Sequence, residues 1–223
     1  MTVESGFLRG VQYFSGLGPA QIESIKKSVF EKTVERAGMV LLEGEPATSL
    51  YFIASGAVKV FKTSAEGKEQ ILTIVRPGES FNDVAVFDGG PNPASVRAMG
   101  PVLLYGITKD DMDAILRAHP RICLNVIRVL AGRVRELVSL VESLSFSHVI
   151  GRVARILLNE AREEGADGPR LTQQEMAAMA GTAREVVGRS LKALEERGAI
   201  KLDRHRIMIT DKEALRKIME APE

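Results

Sequence analysis

Cysteine is nearly absent: Cys123 is the only one among 223 residues. A lone thiol excludes a disulfide framework, a cysteine zinc site and a protein-ligated iron–sulfur cluster within one chain. No apolar run approaches the roughly 18 residues of a membrane span. The opening MTVESGFLRG carries Glu4 and no basic patch leading into an apolar core, so it reads as no secretory signal and the cytoplasm is the expected compartment. Histidine is scarce too. His119, His148 and His205 all lie outside the strand-rich segment described below, which excludes a histidine metal site there and with it a small-barrel metal enzyme. A G-x-x-x-x-G-K-S/T phosphate loop is also missing, and no enzyme is expected. Charge of one sign is lacking: 30 basic against 29 acidic residues leave a net +1, which on its face gives no hint of a polyanionic partner. What the chain has is 45% hydrophobic residues, enough to bury a core and to exclude disorder as its main state.

From about residue 32 to 108 glycines recur at most 12 residues apart, at Gly38, Gly44, Gly56, Gly67, Gly78, Gly89, Gly90, Gly100 and Gly106. Between them lie short runs such as LYFIASG (50–56), AVKVFK (57–62) and ILTIV (71–75). Short β-prone runs with turn signals at this spacing predict an all-β sandwich or barrel. Ahead of it, QIESIKKSVF places Ile22, Ile25 and Val29 at helical spacing after Gly18 and Pro19, so a short helix is expected to lead into the β unit.

The pattern changes at His119 and Pro120. From Ile122 to Phe146 the apolar residues fall into a heptad, with Ile127, Val134 and Val141 at a and Cys123, Leu130, Leu137 and Leu144 at d. β-Branched residues at a with leucine at d favour a parallel two-stranded coiled coil, so the chain is expected to form a homodimer here. A long helix packed only on its own domain is the alternative. Val126 and Leu140 at g and Val138 at e widen the stripe, allowing one flank to rest on the β unit while the a/d seam meets a partner. Cys123 is read as a small buried hydrophobe in that seam rather than a redox group.

Residues 148–223 read as a second domain. VIGRVARILLNEA (149–161) is an amphipathic helix and EEGADGPR (163–170) a polar turn. Thr172 with Glu175, and Thr182 with Glu185, fit the capping-box spacing, so each predicts a helix start. The first helix, 173–180, ends at Gly181 and the second, about 183–197, stops at Gly198. Two short helices around a Gly-containing turn predict a helix-turn-helix, and AIKL (199–202), DRHR (203–206) and IMIT (207–210) add a two-stranded wing.

The second helix places Arg184, Glu185 and Arg189 near one edge, with Val187, Leu191 and Leu194 at core spacing behind. Arginine matches the O6/N7 acceptors of guanine, glutamate accepts from the cytosine amino group, and a recognition helix reaches bases with its N-terminal residues. Double-stranded DNA is therefore the expected partner. Lys192, Lys201, Arg204, His205 and Arg206 suit phosphates, as do Thr172 and Thr182 with the amides they cap, and Gln173 and Gln174. A solvated helix face with a Glu185–Arg189 pair is the competing reading of the trio. Between Arg170 and Ile209 eight basic residues face five acidic ones, a local excess of +3 that the whole-chain balance conceals.

The chain resembles the CRP/FNR family of bacterial transcription regulators over nearly its whole length. The likeness is carried by LYFIASGAVKVF, the glycine-punctuated run to SVRA (95–98), the long helix after HP, and above all LTQQEMAAMAGTAREVVGRSLKALEERGAI. The resemblance implies an α+β fold: an N-terminal cyclic-nucleotide-binding-like β-roll (jelly-roll) in 1–118, a dimerisation helix in 119–147, and a C-terminal winged helix-turn-helix in 148–223. It also implies that Arg184, Glu185 and Arg189 read a TGTGA-type half-site in a palindrome, and that activation, where it occurs, involves contact with RNA polymerase. Ala183 and Val186 depart from the Ser and Thr common in close relatives, a change that implies a weaker phosphate contact or a shifted preference beside the guanines.

The same resemblance speaks against cAMP. Relatives that bind cyclic nucleotides offer Gly-Glu-Leu to the ribose, Arg-Ser to the phosphate and Thr-Ser from the long helix to the adenine. Here the matching positions are Asn82, Asp83 and Val84, then Pro91, Asn92, Pro93 and Ala94, then Leu137 and Val138. A phosphate deprived of its arginine loses a charge-assisted bond, and apolar side chains leave an adenine amine unsatisfied. Asn82, Asp83 and Asn92 read as turn formers ahead of a role in an effector pocket. Haem has only His119 to offer as a ligand, at a place where a solvated or capping histidine is commoner, and the small-molecule effector stays unassigned. A β unit that binds a small molecule and acts through protein contacts is the rival function.

Overall fold

The computed structural model describes residues 5–162, 171–203 and 206–220. Its contacts divide the chain into two units, one of residues 1–62 with 72–135 and the other of 63–71 with 136–223. The first unit opens with α1 (Ser5–Gly10), a 3-10 turn (Gln12–Phe14) and α2 (Pro19–Lys26). Pro19 suits the first helical position because its missing N–H would be unpaired there, and the Gly18 N–H donates to Gln21 Oε1 at 2.9 Å. Ile22 and Ile25 are buried as their spacing predicts. Val29, by contrast, is not helical. It opens β1 (Val29–Val34), because pairing with Ile107 across the sheet prevails over the helical spacing.

The remaining strands of the roll are β2 (Met39–Leu41), β3 (Ser49–Ser55), β4 (Val58–Thr63), β5 (Glu69–Val75), β6 (Ser80–Phe81), β7 (Ser95–Ala98) and β8 (Val102–Thr108). They form two four-stranded sheets in the orders β1-β8-β3-β6 and β2-β7-β4-β5. β3 explains the unbroken apolar run in its sequence. Successive side chains of a strand point to opposite faces. Leu50 and Phe52 join a cluster with Tyr13, Phe14, Ile22 and Ile25, while Tyr51 and Ile53 join one with Val58, Val96 and Leu104. The strand is buried on both faces, so alternation disappears. Gly106 stands opposite Phe30 in the β1–β8 register, and its missing Cβ makes room for the phenyl ring.

Two short helices follow from the sheets, α3 (Asp83–Asp88) between β6 and β7, and α4 (Lys109–Ala118) after β8. Thr108 caps α4, accepting from the Asp111 N–H at 3.2 Å. The long helix α5 runs Arg121–Phe146. Its first turns bury Ile122 and Val126, with Val129 and Leu130 partly covered, in the cluster that holds Tyr13 and Phe52. In the second unit, α6 (Val149–Arg162), α7 (Gln173–Ala180), α8 (Arg184–Glu196) and α9 (Lys212–Glu220) enclose a core of Val153, Leu157, Met176, Val187, Leu194 and Leu215. β9 (Ile200–Asp203) and β10 (Arg206–Ile209) pair antiparallel as the wing. The expected 163–170 turn and the wing-tip residues Arg204 and His205 lie outside the described residues. Among the described residues no helix is long and apolar enough to cross a membrane.

Candidate functional site

The helix pair is set by its caps. Thr172 Oγ1 accepts from the Glu175 N–H at 3.2 Å and Glu175 Oε2 accepts from the Thr172 N–H at 2.7 Å, so two amides of the first turn of α7 are satisfied reciprocally. α7 ends at Gly181, which is left-handed at φ 64°. A Cβ there would lie 3.0 Å from Leu144 Cδ2 and 3.2 Å from Gln70 Oε1, so both the dihedral and the space demand glycine. Arg152 reinforces the turn by donating from Nε to the Ala180 carbonyl at 2.8 Å, a cation at a helix C-terminus. Burial, and secondarily the charge of Arg155, lowers the Arg152 pKa. Gln70 Nε2 donates to the Met179 carbonyl at 3.3 Å within the same unit.

The second capping box is not formed. Ala183, which has no side-chain acceptor, is the N-cap of α8, and the Thr182 N–H instead donates to the Ala177 carbonyl at 3.0 Å. Thr182 is engaged in closing α7 and stands one residue too early to cap the next helix. Val187, Leu191 and Leu194 are buried as their spacing predicts, which turns Arg184, Glu185, Arg189 and Lys192 to the exposed face. Thr172, Gln173, Gln174 and Lys201 are exposed as well, and Thr182 is half-buried. Among the described residues no ion pair joins Glu185 to Arg189. Glu195 serves the fold instead, since its Oε1 accepts from the Leu202 N–H at 2.7 Å and ties the wing to α8.

In the first unit the residues read as turn formers have different roles. Asn82 does adopt a left-handed backbone, φ 69°, and its amide donates to the Ser49 carbonyl at 3.1 Å. Asp83 is no turn former. It is buried, its Oδ1 accepts from the Tyr13 hydroxyl and, at 3.0 Å, from Ser80 Oγ, and its Oδ2 pairs with Arg133 Nη1. Arg133 Nη2 also donates to the Ser80 carbonyl and, at 3.0 Å, to Ser80 Oγ. Burial raises the Tyr13 pKa, against the opposing pull of the Ser80 hydrogen bond and the Arg133 charge. Asn92 is buried, donates to the Leu42 carbonyl at 3.0 Å, and keeps its Oδ1 without a hydrogen-bond partner among the described residues. Val84 is exposed and Ala94 buried.

Comparison with known proteins decides the family. The cyclic nucleotide-binding domain family matches residues 31–119 and the Crp-like helix-turn-helix domain family matches residues 151–218. A CRP-like cAMP-activated global transcriptional regulator of Mycobacterium tuberculosis is 34% identical over 209 residues, 91% of this chain and 93% of that protein. The chain belongs to the CRP/FNR family of transcriptional regulators. The cyclic AMP receptor protein of Thermus thermophilus is 33% identical over 196 residues, 87% of this chain and 90% of the other. Among solved structures, FixK2 from Bradyrhizobium japonicum shares the fold at a TM-score of 0.78 and 20% identity, covering 87% of this chain and 99% of its own. The catabolite activator protein of Thermus thermophilus matches at a TM-score of 0.56 and 30% identity, over 93% and 98%.

As a CRP/FNR regulator the chain carries the β-roll and winged helix-turn-helix expected of it. On α5, Ile127, Val134, Leu137, Val138, Val141 and Leu144 are exposed, from 37% at Leu144 to 63% at Val141, and Leu130 is half-buried against its own core. Cys123, assigned by its spacing to the seam between two copies, faces away from its own core, because Ile122 and Val126 take the inward face of the helix. His119 ends α4 with Nδ1 3.4 Å from Gln21 Nε2. Sequence reasoning missed Tyr13, Ser80, Arg133 and Gln70. Only Arg133 left a signal, an arginine interrupting the apolar stripe of the long helix.

Proposed function

We propose that this chain is a homodimeric, sequence-specific DNA-binding regulator that reads a TGTGA-like palindrome and does not answer to cAMP. The observation that carries the reading is the first turns of α8, where Arg184, Glu185 and Arg189 stand exposed on a helix whose opposite face is buried. In the major groove the two guanidinium groups match guanine O6/N7 and the Glu185 carboxylate accepts from cytosine N4. Thr172, Gln173, Gln174, Thr182, Lys192 and Lys201 flank that face and hold phosphates, which positions the helix without reading sequence.

Dimerisation supplies the second half-site. Large apolar side chains exposed in heptad register along α5 are costly in water, and a second copy of the helix buries them seam to seam. Recognition helices then address half-sites roughly 34 Å apart. The names of both relatives speak of cAMP, yet the segment Pro91–Ala94 has no basic side chain for a cyclic phosphate, and Asp83 is already paired with Arg133. RNA polymerase is the partner through which such a regulator activates, and the cytoplasm is where it meets DNA. Titration of a TGTGA-N6-TCACA duplex against a scrambled one, with and without cAMP across a salt series, tests the reading. Tighter binding to the palindrome, indifferent to cAMP, is expected; equal affinity for both duplexes would sink DNA reading, and strong enhancement by cAMP would sink the ligand claim.

A further inference from the structure

Gly188 lies inside α8, at a place where the packing does not call for glycine. Its backbone is not left-handed, and the nearest atom that a Cβ would meet is Gln173 Oε1 at 3.8 Å, an ordinary contact. Alanine would therefore fit, and glycine is the poorest helix former except proline. Gly181 is the opposite case, since there the dihedral and the space both demand glycine. A residue that weakens its own helix without serving the core is the kind of local rule-breaking that functional sites show.

Residues three and four apart are neighbours on a helix surface. Gly188 thus borders Arg184, Glu185 and Lys192, all exposed, and forms a notch between them. A position without a side chain lets another group approach the backbone closely. Here that group comes from α7. Gln173 is the first residue of that helix, it is exposed, and its Oε1 is the atom lying over the notch. The capping box beside it closes between Thr172 and Glu175, and among the described residues the Gln173 amide has no hydrogen-bond partner. Gln174, about 100° further round α7, does not share this place.

We infer that Gln173, lying over the Gly188 notch, is a fourth base reader, whose amide addresses the N6/N7 edge of an adenine beside a guanine read by α8. The inference rests on the DNA reading proposed for α8 and deepens it, because Gln173 then contributes sequence preference as well as a place near the backbone. A carboxamide carries both a donor and an acceptor, and these match adenine N6–H and N7 as a guanidinium matches guanine O6 and N7. A phosphate offers acceptors only and would leave Oε1 unused. In a TGTGA half-site every guanine has an A·T pair on each side, so an adenine edge stands next to whichever guanine Arg184 takes. The notch lets the amide reach that edge without being held off by a side chain of α8.

The test measures the affinity of the full chain for the TGTGA-N6-TCACA duplex, for the scrambled one, and for duplexes in which one A·T pair at a time is replaced in both half-sites. The wild type is expected to prefer the palindrome and to lose about tenfold or more at one A·T position. Gln173→Ala is expected to bind the palindrome about tenfold more weakly, to lose nothing further from that replacement, and to keep the wild-type losses at the guanines. Gln174→Ala, a backbone contact, is expected to weaken every duplex alike. Gly188→Ala is expected to unfold about 2 °C higher and yet to bind the palindrome about fivefold or more less tightly, two changes of opposite sign that damage to the fold cannot produce. Unchanged or uniformly reduced affinity in Gln173→Ala overturns the inference and leaves DNA reading by α8 standing, as does wild-type affinity in Gly188→Ala. A wild type that binds palindrome and scrambled duplex alike overturns both.

Discussion

An arginine and a carboxylate stand within reach of each other both in the β-roll and on α8, with opposite outcomes. In the β-roll, Arg133 and Asp83 come from positions fifty residues apart and lock together beside the Tyr13 and Ser80 hydroxyls. On α8, Glu185 and Arg189 stand one helical turn apart, the spacing at which such pairs form most readily, yet among the described residues they make no ion pair. The carboxylate of the first pair is buried, so leaving it without its cation is costly; the second pair is exposed, so water satisfies both members at little gain from pairing. In this comparison burial separates a carboxylate that the chain itself satisfies from charges left available to something outside it. Arg152, half-withdrawn from solvent and bonded to the Ala180 carbonyl, contrasts in the same way with Arg184 on α8.

The largest effect expected from this contrast is on folding. Arg133→Met leaves a buried carboxylate without its cation and is expected to lower unfolding free energy by about 3 kcal/mol in urea titrations. Because the Arg133 side chain is 31% exposed, the value belongs at the low end for a broken buried pair. Arg189→Ala, by contrast, is expected to change stability by less than about 0.5 kcal/mol. A loss at Arg189 comparable to that at Arg133 would erase the distinction. The order reverses for DNA contacts made directly: Arg189→Ala is expected to cost about 2 kcal/mol in palindrome binding, roughly thirtyfold, and to relax preference at one base pair. Lys201→Ala is expected to weaken both duplexes alike and to reduce the salt slope by about one.

Tyr13 sharpens the comparison through pH. Tyr13→Phe removes one donor to a buried carboxylate and is expected to cost about 1.5 kcal/mol near neutrality. Burial raises the folded-state pKa of this phenol above its ordinary 10.0, so the folded state holds the proton more tightly than the unfolded one. The resulting stability is complete below pH 10 and lost as pH rises through the folded-state value. Wild-type stability is therefore expected to fall more steeply than that of Tyr13→Phe above about pH 10, as read from denaturant midpoints. Parallel decline of the two would show that Tyr13 stays outside the buried network.

The elements that could be read from sequence are those whose determinants are local. The β-roll turns declared themselves through glycine spacing, and α7 through Thr172, Glu175 and a left-handed Gly181, all within ten residues. The exposed face of α8 followed from the burial rhythm of Val187, Leu191 and Leu194. What escaped was decided at a distance. Val29 continues a helical spacing but is claimed by Ile107 in β8. Asp83 looks like a turn residue until Tyr13, seventy positions earlier, and Arg133, fifty later, close on it. Periodicity carries no record of such a meeting, because polar pairing depends on where two elements cross rather than on what precedes either residue.

The two threonines at the helix starts give the smallest and cleanest test, since they share a sequence pattern and differ only in structure. Thr172 and Thr182 each stand three residues before a glutamate, but only Thr172 accepts from the amide it should cap. Thr172→Ala is expected to destabilise the chain by about 1 kcal/mol, the usual value of a lost N-cap. Thr182→Ala removes no cap, because α8 begins after Ala183 and the Thr182 amide, unaffected by the change, goes on closing α7. Its cost is expected below about 0.5 kcal/mol. Thr182 enters the proposed function through the DNA backbone alone, so its loss belongs in duplex affinity rather than in thermal unfolding. Equal destabilisation by the two substitutions would mean that α8 starts one residue earlier, which would rotate Arg184, Glu185 and Arg189 relative to the turn that presents them.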